Sequence, residues 1–216
     1  MRPVLRAFRA GILLAGFGIP CALHGQAAPG SIEIGAGGGR FYGGSFARGS
    51  TEAFDHKVLA DDDILKGFWI GAQISRAWGV ELAVRRTATH FIANGSGVFP
   101  NKPTLGGLDF ATIELLGIRS FRFGNVLPYA GFGLGVANLD PDLVSPAIRD
   151  SNRFALSAAI GARLYAARWI GVRVDGRARA TYLGSRRFED HGFFDSGRWF
   201  RNGEILGGVF LSFGGR

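Results

Sequence analysis

Phe154-Ala-Leu-Ser-Ala-Ala-Ile-Gly-Ala-Arg-Leu164 alternates without a break. Phe154, Leu156, Ala158, Ile160, Ala162 and Leu164 fall on one face, and Ala155, Ser157, Ala159, Gly161 and Arg163 fall on the other. A period of two is that of a β-strand, because successive Cβ atoms point to opposite sides. About ten residues with one face apolar and the other small or polar are what a strand needs to cross a bilayer, with lipid on one side and a lumen on the other. Half-buried strands of soluble proteins alternate too, so this stretch alone does not decide the matter.

The connections decide it. From about Val80 to Phe213 the unit repeats, and the pattern predicts about eight strands in all, near 31–42, 66–75, 78–91, 109–123, 127–138, 153–165, 169–183 and 202–213. Short turns at 76–77, 124–126 and 166–168 alternate with long polar connections at 43–65, 92–108, 139–152 and 184–201. Even strand number, short turns at one end and long loops at the other define a closed up-and-down antiparallel transmembrane β-barrel, whereas a sandwich has no reason to keep that rhythm. The short turns and both chain ends are then periplasmic. No segment approaches the eighteen or so continuous apolar residues of a membrane helix, so a spanning chain of this composition has to close a sheet.

The N-terminus carries Arg2, Arg6 and Arg9 around an apolar stretch from Ala10 to Ile19, followed by Pro20 and small residues to Ala28. This is the layout of a secretory signal peptide, with cleavage expected after Ala27 and the barrel domain occupying 28–216. Cys21, the single cysteine, leaves with that segment, and thiol chemistry and disulfides leave with it. The mature chain keeps 22 basic and 17 acidic residues, a net charge of +5. Only Lys57, Lys66 and Lys102 are lysines, so the positive charge is mostly arginine, suited to fixed bidentate pairing. No basic run with interleaved aromatics points to nucleic acid.

Parity assigns two faces. Outward fall Ile32, Ile34, Phe68, Ile70, Ile74, Val80, Leu82, Val84, Ile113, Leu115, Phe132, Leu134, Ile170, Val172, Val174, Ile205, Val209, Leu211 and Phe213. Inward fall Glu33, Glu81, Arg85, Glu114, Arg163, Arg173, Asp175, Arg177, Arg179 and Glu204, with Gln73 and Tyr129: five acids and five arginines. Eight strands leave a lumen that side chains fill, so these charges are expected to pair across it. Trp69, Trp78, Phe121, Phe123, Tyr165, Trp169, Tyr182 and Trp199 lie near strand ends and read as interfacial girdles. Arg119 fits neither face and reads as a bulge.

Gly35, Gly37, Gly38 and Gly39 form no dinucleotide fingerprint, because the strand runs on to Phe41 with no helix after them. Leu127-Pro-Tyr-Ala-Gly-Phe-Gly-Leu-Gly-Val-Ala137 resembles the Pro-Tyr-x-Gly-x-Gly-x-Gly strand of the OmpA-like small outer-membrane β-barrel proteins, and Trp169-Ile-Gly-Val-Arg-Val-Asp-Gly-Arg177 is similar to their Gly-x-Arg-x-Asp-x-Arg strand. Asn202 to Gly214, with Gly208 and the terminal Phe213, resembles their closing strand, although Gly214, Gly215 and Arg216 follow the aromatic on which such proteins usually end. The resemblance covers most of the mature chain. It implies a bacterial outer-membrane barrel and leaves function open, since members serve as structural, adhesive or uncharacterised surface proteins.

Catalysis finds little to work with. His90 lies on the outward parity with no serine two residues away, while His191, Asp195 and Ser196 share a loop rather than a strand face. Asp61-Asp62-Asp63 lacks the spaced oxygen ligands of a calcium site and reads as a solvated loop. The expectation is a non-enzymatic outer-membrane protein without cofactor or metal, monomeric, embedded in lipid, with a polar plugged lumen and with long loops free to meet an extracellular ligand or partner. A narrow pore for small solutes, and a secreted soluble barrel with reversed faces, remain the alternatives.

Overall fold

A computed structural model describes residues 28–50, 55–95, 104–143, 151–183 and 199–214. The expected signal peptide and the loop with His191, Asp195 and Ser196 lie outside them. Among the described residues the strands are β1 (Ile32–Tyr42), β2 (Ser45–Ser50), β3 (Asp55–Ala60), β4 (Asp63–Gln73), β5 (Trp78–Gly95), β6 (Thr104–Ser120), β7 (Val126–Leu143), β8 (Ser151–Ala167), β9 (Ile170–Tyr182) and β10 (Trp199–Phe213).

Eight of them close a barrel. β1 pairs with β4 on one side and β10 on the other, and antiparallel pairing continues through β5, β6, β7, β8 and β9 until the ring is complete. The ladder that leaves β1 at Ile32 passes Ala72, Val80, Gly117, Phe132, Ala158, Ala178 and Gly203 and returns to β1 at Tyr42, ten residues further on. Such an offset tilts the strands by about 40° and sets a bore narrow enough for side chains to fill. The β2–β3 hairpin was not legible in the sequence; it extends the sheet from the far end of β5, with Leu59 opposite Ile92.

Local chemistry makes the short turns. Ser75 Oγ accepts the amides of Ala77 (3.4 Å) and Trp78 (3.1 Å) between β4 and β5. Between β6 and β7, Phe123 and Val126 exchange both backbone hydrogen bonds around Gly124-Asn125, and Gly124 takes φ +60°, the left-handed value that two-residue hairpin turns require. Only Arg168 and Trp169 separate β8 from β9.

The exterior is apolar. Every residue of the expected outward set is exposed except Ile170, which is half-buried; Phe132, Ile160, Val174 and Val209 are each more than half exposed. Exposed aliphatic side chains all round the girth cost a water-soluble protein dearly and suit a hydrocarbon solvent. A soluble barrel with reversed faces is therefore the wrong reading: the charges point in and the aliphatic side chains point out.

Candidate functional site

The lumen is built in three layers. At the short-turn end Leu127, Ile118, Tyr165 and Phe210 are buried, with the Tyr165 and Phe210 rings edge to face at 5.0 Å. At the long-loop end Phe41, Phe46, Phe91, Phe110 and Phe200 pack together, with centroid separations of 5.7 Å for Phe41–Phe110, 4.9 Å for Phe46–Phe91 and 5.8 Å for Phe110–Phe200. Between the two lie the charges.

All ten residues expected inside, Glu33, Glu81, Arg85, Glu114, Arg163, Arg173, Asp175, Arg177, Arg179 and Glu204, are buried there. Their ion pairs form one connected path. Glu33 meets Arg163 Nε at 3.1 Å, and Arg163 reaches Glu81 at 3.7 Å. Glu81 takes Arg173 at 2.5 Å, and Arg173 continues to Asp175 at 2.7 Å. Asp175 takes Arg85 at 2.7 Å, and Arg85 reaches Glu204 at 3.3 Å. Glu204 pairs with Arg179, which forks onto Glu114 at 2.7 Å. Glu114 binds Arg177 at 2.6 Å, and Arg177 returns to Glu81 at 3.5 Å, closing a loop.

Why burial is tolerable here follows from the count. Each isolated charge loses several kcal/mol of hydration inside a low-dielectric wall, so only a neutral, mutually bonded set survives. Five carboxylates face five guanidiniums. Arginine suits the task because its planar fork can serve two carboxylates at once, as Arg179 does. Aromatic rings complete the lining: Arg173 stacks 4.8 Å from the centroids of both Trp69 and Tyr129.

Space for these long side chains comes from inward glycines. A Cβ at Gly35 would lie 2.2 Å from the Trp69 ring. The lumen therefore alternates bulk and absence from strand to strand, and the glycines of β7 are met by neighbours rather than left as open space, Gly135 for instance by Glu114.

Several sequence expectations need correction. Trp69 and Tyr165 belong to the lumen, not to a girdle: Trp69 is 2% exposed, and its indole N–H donates to Glu33 Oε1 at 2.8 Å. Trp78, Phe121, Phe123, Trp169, Tyr182 and Trp199 are exposed at the strand ends, as a girdle requires. Arg119 marks no bulge, since it pairs in regular register with Trp78 and continues the outward face, its guanidinium 5.5 Å from the Trp78 ring and 5.7 Å from that of Phe121. The aromatic layer at the long-loop end was missed. Its signal was present, because Phe41, Phe91, Phe110 and Phe200 share parity with the inward charges of their own strands.

The carboxylates of the acidic run are occupied with backbone amides: Asp62 with Gly43, Asp61 with Asp62, and Asp63 with Ile64. Among the described residues no cluster of metal-ligating side chains occurs. His90 stands exposed on the outer face of β5.

A closed eight-stranded antiparallel barrel with an aliphatic exterior is the fold of the small outer-membrane β-barrel proteins. Solved structures share it at low sequence identity. Outer membrane protein OprG from Pseudomonas aeruginosa is 14% identical with a TM-score of 0.64, the match covering 88% of this chain and 98% of that one. Outer membrane protein AlkL, determined in DMPC lipid bilayers, is 16% identical with a TM-score of 0.60, covering 92% and 96%. Neisserial surface protein A is 16% identical with a TM-score of 0.55, covering 85% and 99%. No family model matches the sequence, and no curated protein matches it either.

Proposed function

We propose that this chain is an integral outer-membrane barrel with a structural or surface-interaction role, closed to solutes and without catalytic activity. The observation that carries the reading is the continuous lumen path of ion pairs from Glu33 to Arg177, covered at the long-loop end by the Phe41, Phe91, Phe110 and Phe200 layer. An ion entering would have to displace bonded arginines and then cross an aromatic layer, and neither offers it hydration. Variable contacts with the outside are left to the long loops. The test is conductance. Protein reconstituted in planar bilayers should show no steady large current; Glu114→Gln, which strips charge from the carboxylate shared by Arg177 and Arg179, should produce occasional openings. Stable porin-like current from the unmodified barrel would replace this reading with the narrow pore.

A further inference from the structure

Three outward-facing cations interrupt the lipid-facing surface on adjacent strands. Arg40 on β1, Lys66 on β4 and Arg86 on β5 are all exposed. Lys66 stands directly opposite Arg86 in register, and Arg40, opposite Ile64, is its diagonal neighbour across the β1–β4 ladder. Like charges placed directly opposite on one sheet face repel.

They also stand low. On β5 only Val80, Leu82 and Val84 separate Trp78 from Arg86, whereas on β7 the outward face is apolar at every position from Val126 to Val136, and on β8 from Leu164 to Phe154. Above the cations the outer face turns apolar again at Ile64, which is 65% exposed, at Tyr42 and at Ala88. On this side of the barrel three positive charges thus lie within the height that is aliphatic on the other side. Cations held at such depth need an anion, because little water reaches them.

Among the described residues a single carboxylate pairs with the three. Asp109 takes the Arg86 guanidinium at 3.0 Å from Nε and again through Nη2. Asp61, Asp62 and Asp63 are engaged with backbone amides, and among the described residues neither Arg40 nor Lys66 has an ion-pair partner. Two positive charges on long flexible stems are left over, long enough to snorkel toward the long-loop side.

We propose that Arg40 and Lys66, beside the Arg86–Asp109 pair, hold the phosphate headgroup of an anionic lipid in the leaflet on the long-loop side, with its chains lying on Ile34, Phe68 and Val84. This rests on the membrane reading above. The surface faces hydrocarbon from below, the surplus charge calls for an anion, and a phosphate accepts from ammonium and guanidinium donors together. A lipid also brings its own apolar chains to the belt beneath, which a soluble anion cannot do.

The experiment uses full-length protein folded into vesicles of phosphatidylcholine containing a minority of phosphatidic acid, with a heat-shifted gel band verifying the closed barrel first. Mild detergent extraction followed by native mass spectrometry then counts retained lipid. The unmodified protein should keep phosphatidic acid in preference to phosphatidylcholine. Arg40→Gln with Lys66→Gln should lower that preference about tenfold, while Arg119→Gln, an outward cation at the opposite rim, should leave it unchanged. Equal retention by the double variant overturns the proposal, and so does full competition by inorganic phosphate, which would make the site one for free anions. A chain that never closes in vesicles would bring down the membrane reading itself, so the two failures are distinguishable.

Discussion

Tyr129 Oη donates to Asp175 Oδ2 at 2.8 Å across an intervening strand, passing over Gly161, which stands in register with both residues. A Cβ on Gly161 would lie 2.4 Å from the phenol oxygen and 2.5 Å from the Val174 carbonyl oxygen. The hydrogen bond exists because the residue between its partners has no side chain. Gly161→Ala should therefore destabilise the barrel by about 1–3 kcal/mol through overpacking, as core insertions do. Tyr129→Phe should cost about 1–3 kcal/mol by leaving a buried carboxylate one donor short. Denaturant midpoints of vesicle-folded variants measure both, and a Gly161→Ala midpoint equal to wild type would show that the wall yields at this point.

The charge loop makes a sharper claim. Arg173 serves Glu81 and Asp175 together, so Arg173→Ala takes a shared partner from two buried carboxylates, leaves the network one positive charge short and should cost about 3–5 kcal/mol. Arg168→Ala, in the exposed turn between β8 and β9, should change stability by less than about 0.5 kcal/mol. Equal midpoints for the two variants would contradict the assignment of Arg173 to a paired, buried network.

Tryptophan environments separate lumen from lipid. Trp69 is enclosed against Glu33 and Arg173, while Trp78 and Trp169 are more than half exposed on the outer surface. In variants retaining one tryptophan each, brominated acyl chains should quench Trp78 and Trp169 strongly and leave Trp69 nearly untouched. Quenching of Trp69 comparable to the others would put its ring outside the barrel.

Heat-modifiable migration follows from ring closure. With β1 bonded to both β4 and β10, no barrel strand has a free edge at which detergent can begin to strip the ladder. Unboiled protein should run differently from boiled protein, and identical migration of a verified folded sample would argue against closure.

The sequence made the period, the strand number and the paired lumen legible, because alternation is a local signal that each strand repeats. It failed where position along a strand was read without parity. Trp69 and Tyr165 lie near strand ends in the sequence, yet they have inward parity, and an aromatic near an end belongs to a girdle only when it also points out. Arg119 looked misplaced because a cation on the apolar face was unexpected; the Trp78 and Phe121 rings beside it make that position an interface. The β2–β3 hairpin escaped because its strands are short and its register shifts between Ser45 and Ala47, which breaks the alternation that reveals the others. The connection from Glu33 to Arg177 could not be read at all, since it depends on which strands face each other across the bore.

The ten-residue return of the ladder from Ile32 to Tyr42 also limits how such a chain can change length. Inside a strand one extra residue exchanges the two faces of everything beyond it, turning arginines such as Arg163 to the lipid and leucines such as Leu164 to the ion pairs. The ring has no loose end along which the slip could be absorbed, so an extra residue is taken up only by a local bulge, as at the register shifts of Tyr165–Ala167 and Phe91–Ile92, both near strand ends. Growth and shrinkage are thereby confined to the connections, and the barrel acts as a fixed gauge against which its loops alone are free to diverge.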